Sequence, residues 1–228
     1  PDVPFADRST ELFKKVARKR LGIPNDSNHM FVFTEGEATA GSLKGGLASL
    51  LSQLDSNDEL YFYYAGHGVP NPNPNKSSAY ILPQDAYKGY FQYPSFKLST
   101  LYQKLANSKA KRVVAFVDAC FSGQASKDRM VFEGVAPAGR MVGSADVSQS
   151  ITGNMTVLTA GNNSQFSNSY NKRGHRLFSY YLMKGLLKGK QGEQLTEYVK
   201  SKVKQQSRRK GPAYEQTPQV YGRGNLGF

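Results

Sequence analysis

Cysteine is nearly absent: Cys120 is the only one in 228 residues. The chain can therefore close no internal disulfide and cannot build a metal site from several thiolates. Acidic residues are also scarce, 17 against 30 lysines and arginines, which leaves a formal charge of +13. Such a charge draws a protein toward nucleic acid, anionic membrane surfaces or acidic polymers. Much of the excess, however, sits in residues 14–20 and 200–210, which read as solvated helix faces or ends, and no nucleic-acid motif accompanies it. No specific nucleic-acid partner is expected. No apolar run approaches the roughly 18 to 20 residues of a membrane span, and the basic, apolar and small-residue pattern of a signal peptide is missing. A soluble chain of open compartment is expected. Without internal repeats or a second composition block, residues 1–228 read as one domain.

What is present alternates between helix and strand, the pattern of a mostly parallel sheet covered by helices on both faces. Leu12, Phe13, Val16, Ala17 and Leu21 recur at helical spacing ahead of Gly22, a stop signal. Residues 30–34 read as a short strand. Thr39 can cap a second helix striped by Leu43, Leu47, Leu50, Leu51 and Leu54. Residues 60–65 form a continuous apolar run, as in a strand buried on both faces, and end at Gly66-His67-Gly68. Residues 70–76 alternate proline and asparagine and read as an exposed loop, followed by a short strand over 79–82. Ser99 can cap a helix to about Ala106. Residues 112–117 are the clearest strand, with Asp118 at the end and Cys120 just beyond. Residues 121–152 lack periodicity and read as a functional or cleavable loop. A strand over 155–160 and helices around Phe178–Leu186 and Leu195–Val203 complete the pattern.

Two strands thus each deliver a reactive side chain past the C-terminal edge, His67 and Cys120, and that edge is where open α/β sheets bind ligands. A thiol needs a base nearby to become thiolate at neutral pH; a histidine can take its proton and return it to a leaving amine. Glycines beside the histidine permit close backbone approach, and the amides of Gly68 and Cys120 are candidate oxyanion donors.

Tyr64-Ala65-Gly66-His67-Gly68 and Asp118-Ala119-Cys120-Phe121-Ser122-Gly123 resemble the histidine and cysteine motifs of the caspase and metacaspase family, in the family's order and spacing. Ala38-Thr39, Tyr80-Ile81-Leu82-Pro83 with Asp85, and Gln216-Thr217-Pro218 extend the resemblance over nearly the whole chain. It implies a caspase-like three-layer α/β sandwich and peptide hydrolysis through an acyl-enzyme on Cys120, with no metal or organic cofactor in the chemistry. Calcium activates some metacaspases, and no calcium loop of recognised spacing is found here. The family's first strand, ahead of the first helix, is not in the sequence as given. Phe121 stands where metacaspases usually carry histidine and many bacterial relatives phenylalanine, which places the chain nearer the latter.

In metacaspases the acid two residues before the cysteine binds arginine or lysine at P1, and Asp118 matches it; the expected partner is a protein or peptide with a basic P1 residue. The plainer role for Asp118 is to cap the strand-to-loop turn. The family's second pocket acid aligns with Ser9, so that Asp7 either substitutes for it or caps the first helix. Gln165 and Ser164 follow a strand and could line the pocket. Caspases that take aspartate at P1 use arginines, and none stands near either motif in the sequence. Lys127, Arg129 and Arg140 are candidate self-cleavage sites within 121–152. His175 and His29 read as a helix-start and a strand-edge residue.

Overall fold

The computed structural model describes residues 3–71, 78–86, 94–121, 124–126, 129–130, 148–162 and 165–222. Helix α1 (Ala6–Arg20) buries Phe13, Val16 and Ala17 and ends on Arg18, Lys19 and Arg20, cations that complement the negative end of the helix dipole. Gly22 follows with φ +69°, the left-handed conformation that terminates a helix cheaply only at glycine. Helix α2 (Ala40–Gln53) is capped as expected, the Thr39 hydroxyl accepting from the Ser42 amide.

The central sheet has the order β1 (Glu59–Ala65), β4 (Arg112–Asp118), β7 (Met155–Thr159) and β10 (Gln219–Gly222). The first three run parallel and β10 antiparallel to β7. Helix α3 (Leu98–Ala106) joins α2 on one face, while α1, α4 (Leu177–Leu187) and α5 (Gly192–Arg208) cover the other. Strand β4 shows why both faces need cover: Val113, Ala115 and Val117 enter the α2–α3 core, and Val114 and Phe116 enter the α1–α4–α5 core. Alternate side chains of an extended strand point to opposite faces, so a run of valines fills two cores at once, at about 1.5–3 kcal/mol for each large side chain buried. This is the expected three-layer α/β sandwich.

Several local expectations are corrected. Residues 30–34 form no strand; Phe31 and Phe33 lie on Gly46 of α2 and not in the sheet. Strand β1 is buried only at Leu60, although its composition predicts burial on both faces. Pro70, expected in an exposed loop, is buried at the end of β2 (Gly68–Pro70), which pairs antiparallel with β3 (Ala79–Ile81) in a separate two-stranded sheet; a two-stranded edge tolerates proline where a central strand would not. Helix α3 starts at Leu98 on an uncapped Lys97, placing Ser99 within its first turn. Short hairpin pairs β5 (Gln124–Ser126) with β6 (Arg129–Met130) and β8 (Ser169–Tyr170) with β9 (His175–Arg176), none of them legible from periodicity.

The C-terminal strand is strapped in place by Gln216, which has no exposed surface. Its amide donates to the Ala160 carbonyl at 2.9 Å and accepts from the Asn168 backbone at 2.9 Å, and its own N–H reaches Ser207. Among the described residues no helix is long and apolar enough to cross a membrane.

Candidate active site

Parallel pairing of β1 with β4 sets Ala65 opposite Asp118, and the Gly66 amide extends the ladder by donating to the Asp118 carbonyl at 3.2 Å. His67 and Cys120 each stand two residues beyond that last registered pair. Both are partly exposed, as a histidine and a thiol open to a substrate must be. The histidine's backbone is fixed from behind: the Tyr64 hydroxyl donates to the His67 carbonyl at 2.7 Å, and that carbonyl also accepts from the Leu82 amide at 3.1 Å. Burial pushes the Tyr64 phenol far above its ordinary pKa, so it remains a donor at any working pH.

Both glycines flanking His67 are sterically required. A Cβ on Gly66 would meet the Tyr64 ring carbon bearing the hydroxyl at 2.5 Å. One on Gly68 would meet the Cys120 carbonyl at 2.7 Å and run into the Phe121 ring. The histidine and cysteine loops are therefore in backbone contact through Gly68, and buried Phe121 closes the seam. Gly68→Ala is expected to lower kcat/KM by about 100-fold, because it wedges the two loops apart by some tenths of an ångström at the reacting atoms. Steady-state kinetics beside a circular dichroism melt check this; the overpacking against the Cys120 carbonyl and buried Phe121 costs about 1–3 kcal/mol, a fall of about 2–12 °C in the melt.

Asp118 has no exposed surface. Its Oδ2 accepts from the Ser179 backbone amide at 3.1 Å and from the Ser179 hydroxyl; its Oδ1 accepts from the Ser167 hydroxyl. Ser179 is the third residue of α4, so the carboxylate sits at the helix's positive end. Arg176, also buried, holds Nε 3.7 Å from Oδ1 and donates to the Ser167 carbonyl. Tyr63 closes the cluster through the Ser179 hydroxyl at 2.7 Å, and burial, with the Asp118 charge beside it, drives its pKa far up. Sequence reasoning missed Arg176, Ser167 and Ser179. The one local signal was that Arg176 and Ser179 flank the start of an apolar helix stripe, where anion-binding groups collect.

The remaining candidates are dispersed. Asp7 lies in the first turn of α1 without capping it, and lines a cavity of about 1140 Å³ shared with Tyr64 and His67. The α1 residue that meets the Asp118 cluster is Ser9, whose hydroxyl accepts from the Arg176 amide at 3.1 Å. The Gln165 side chain accepts from the Thr217 amide at 2.8 Å, a tie to the C-terminal segment. His175 stacks on Tyr180, and burial and then the Arg8 charge hold its imidazole below the ordinary pKa; His29 pairs with exposed Asp26. Ser122, Gly123, Ser164, Lys127 and Arg140, and the side chain of Arg129, lie outside the described residues.

Residues 10–225 match the caspase domain. The chain belongs to that family. Caspase-domain proteins are cysteine peptidases acting on protein substrates, which agrees with a histidine and a cysteine at one sheet edge. In fold, this caspase-domain chain resembles protein GSU0716 of Geobacter sulfurreducens, with a TM-score of 0.62 at 17% identity, over 99% of this chain and 85% of that one. No curated protein matches it.

Proposed function

We propose that the chain is a cysteine endopeptidase working through a Cys120–His67 dyad. The observation that carries this is the shared register: both side chains lie two residues past one hydrogen-bonded pair, on loops that touch. The Cys120 thiolate adds to the scissile carbonyl carbon, and the amides of Gly68 and Cys120 receive the oxyanion. His67, having taken the thiol proton, gives it to the departing amine as the C–N bond breaks. Water then hydrolyses the thioester, His67 accepting its proton and restoring the thiol. No metal or organic cofactor enters these steps.

Specificity for arginine or lysine at P1 is supported by Asp118, a buried carboxylate two residues before the nucleophile. A second reading, an acidic P1, is favoured by Arg176, whose buried Nε has no hydrogen-bond partner. Fluorogenic peptides differing only at P1 decide between them. The expected result is a kcat/KM for Arg or Lys about 100-fold or more above Leu and Asp. Preference for Asp would transfer the pocket to Arg176. If the preference is basic, self-cleavage within residues 121–152 can activate the enzyme, and mass spectrometry showing that loop intact in fully active protein would exclude it.

A further inference from the structure

We infer that the outer face of α4 binds an acidic stretch of the protein substrate, as an exosite beside the reactive edge. Its role as an exosite rests on the peptidase reading; the binding does not. Between Asp146 and Glu193 the sequence holds six lysines and arginines and no acid. The fold gathers that imbalance on one side. Seven of the 11 residues of α4 are buried. Left facing outward are Tyr180, Tyr181, Lys184 and Leu187, and Lys188 at the helix end continues the same stripe at spacings of three and four. The cations on this face are held in place. Arg173 and Lys184 lie over the Tyr180 ring at 5.9 and 5.5 Å, and Lys188 and Lys190 over the Tyr198 ring of α5 at 5.8 and 5.5 Å. Tyr181 bridges the two rings, edge-on to Tyr180 at 5.1 Å and to Tyr198 at 6.4 Å.

Four cations thus stand on one row of aromatic rings, and a side chain already drawn to a ring loses less freedom when it meets a ligand. None of the four forms an ion pair among the described residues. The acids that follow are engaged elsewhere: Glu197 pairs with Lys200 at 3.7 Å, and Glu193 lies in the first turn of α5, where the helix dipole favours it. The same geometry selects the partner. A nucleic-acid strand stacks its bases on free aromatic faces, whereas each of these two rings already carries two cations, and Tyr180 also stacks on His175. A bilayer takes up an apolar face, and Leu187 is the only exposed large hydrophobic side chain among the described residues. What the face offers is ammonium and guanidinium groups to carboxylates. From Tyr180 to Lys188 the helix rises about 12 Å, the reach of about four extended residues. Helix α4 starts at the Asp118 cluster, Ser179 donating to that carboxylate, so an acidic run of about four residues along the stripe is tethered beside the reactive edge.

The probe is a fluorescein-labelled peptide with a run of Asp and Glu, compared with a twin carrying Asn and Gln in their place. Binding is measured by anisotropy on the Cys120→Ala protein, which cannot consume the probe. Saturable binding of the acidic peptide alone is expected. Lys184→Gln, Lys188→Gln and Lys190→Gln together should weaken it about tenfold. Lys15→Gln, Arg18→Gln and Lys19→Gln remove the same charge from α1 and should weaken it about twofold or less. Leucine at both Tyr180 and Tyr198 should weaken it about fivefold, and phenylalanine at both should restore it, since the ring and not the hydroxyl holds the cations. Equal loss in the two triple variants, or no saturable binding, overturns the proposal. So does tighter binding of an oligothymidine strand or a phosphatidylserine vesicle at the same lysines. On the Cys120 protein, joining the acidic run to a cleaved peptide should lower KM about tenfold with kcat unchanged, and the α4 triple variant should abolish that gain; an unchanged KM overturns the exosite role. Binding without cleavage would support the surface and count against the peptidase reading instead.

Discussion

Cys120→Ala is expected to lower kcat/KM on a cleaved peptide by 10⁴-fold or more (order of magnitude), with the melting temperature almost unchanged. The thiol is small and partly exposed, so its loss costs the fold little, about 0.5 kcal/mol or less. His67→Ala should fall about as far. The double variant should fall no further, because thiol and imidazole act as one unit and removing either disables the other. Kinetics on the three variants, each checked by circular dichroism, test this. Independent, additive losses would mean that the two residues work separately, and retained turnover in Cys120→Ala would remove the nucleophile from the mechanism. As the sole thiol, Cys120 also allows one iodoacetamide per chain to serve as an active-site titrant.

Asp118→Asn is expected to be the most destabilising single change near the site. It leaves Arg176 buried without its counter-charge and gives the α4 N-terminus a neutral group in place of an anion. Breaking one side of a buried pair costs about 3–5 kcal/mol. At roughly 2–4 °C per kcal/mol for a chain of this size, the melting temperature should drop by about 6–20 °C. Arg176→Met should cost less, because the carboxylate keeps three donors from Ser167 and Ser179. The double variant should recover part of the loss, which separates an uncompensated charge from lost packing. If Asp118→Asn melted like the wild type, the cluster would not be held by charge. Where the asparagine protein remains folded, a fall in Arg and Lys turnover greater than in Leu turnover would identify Asp118 as a substrate contact as well as a structural one.

The sequence announced some of this architecture plainly. Residues 113–117 are apolar at every position and rich in valine, so the strand could be read directly; burial on both faces was read for residues 60–65 instead, and the structure gives it to residues 113–117. His67 and Cys120 were found because each follows such a run directly, and the end of a parallel strand is a position with known consequences. Arg176 was not legible, standing 58 positions from Asp118 and brought to it only by the packing of α4 on the sheet. Residues 30–34 misled in the opposite way. They have strand composition, but a strand exists only through its neighbour, and Phe31 and Phe33 lie on Gly46 of α2 instead of in a ladder.

The last registered pair, Ala65 with Asp118, also limits how the enzyme could be switched. The two faces of β4 feed different cores, so a slip of one residue against β1 would send Phe116 into the space shaped for Ala115 and Val117. Sliding these strands is therefore closed as a route to an inactive state. A latent form of this chain, if it has one, would keep the β1–β4 register and so carry its histidine and cysteine at the same height as the active form.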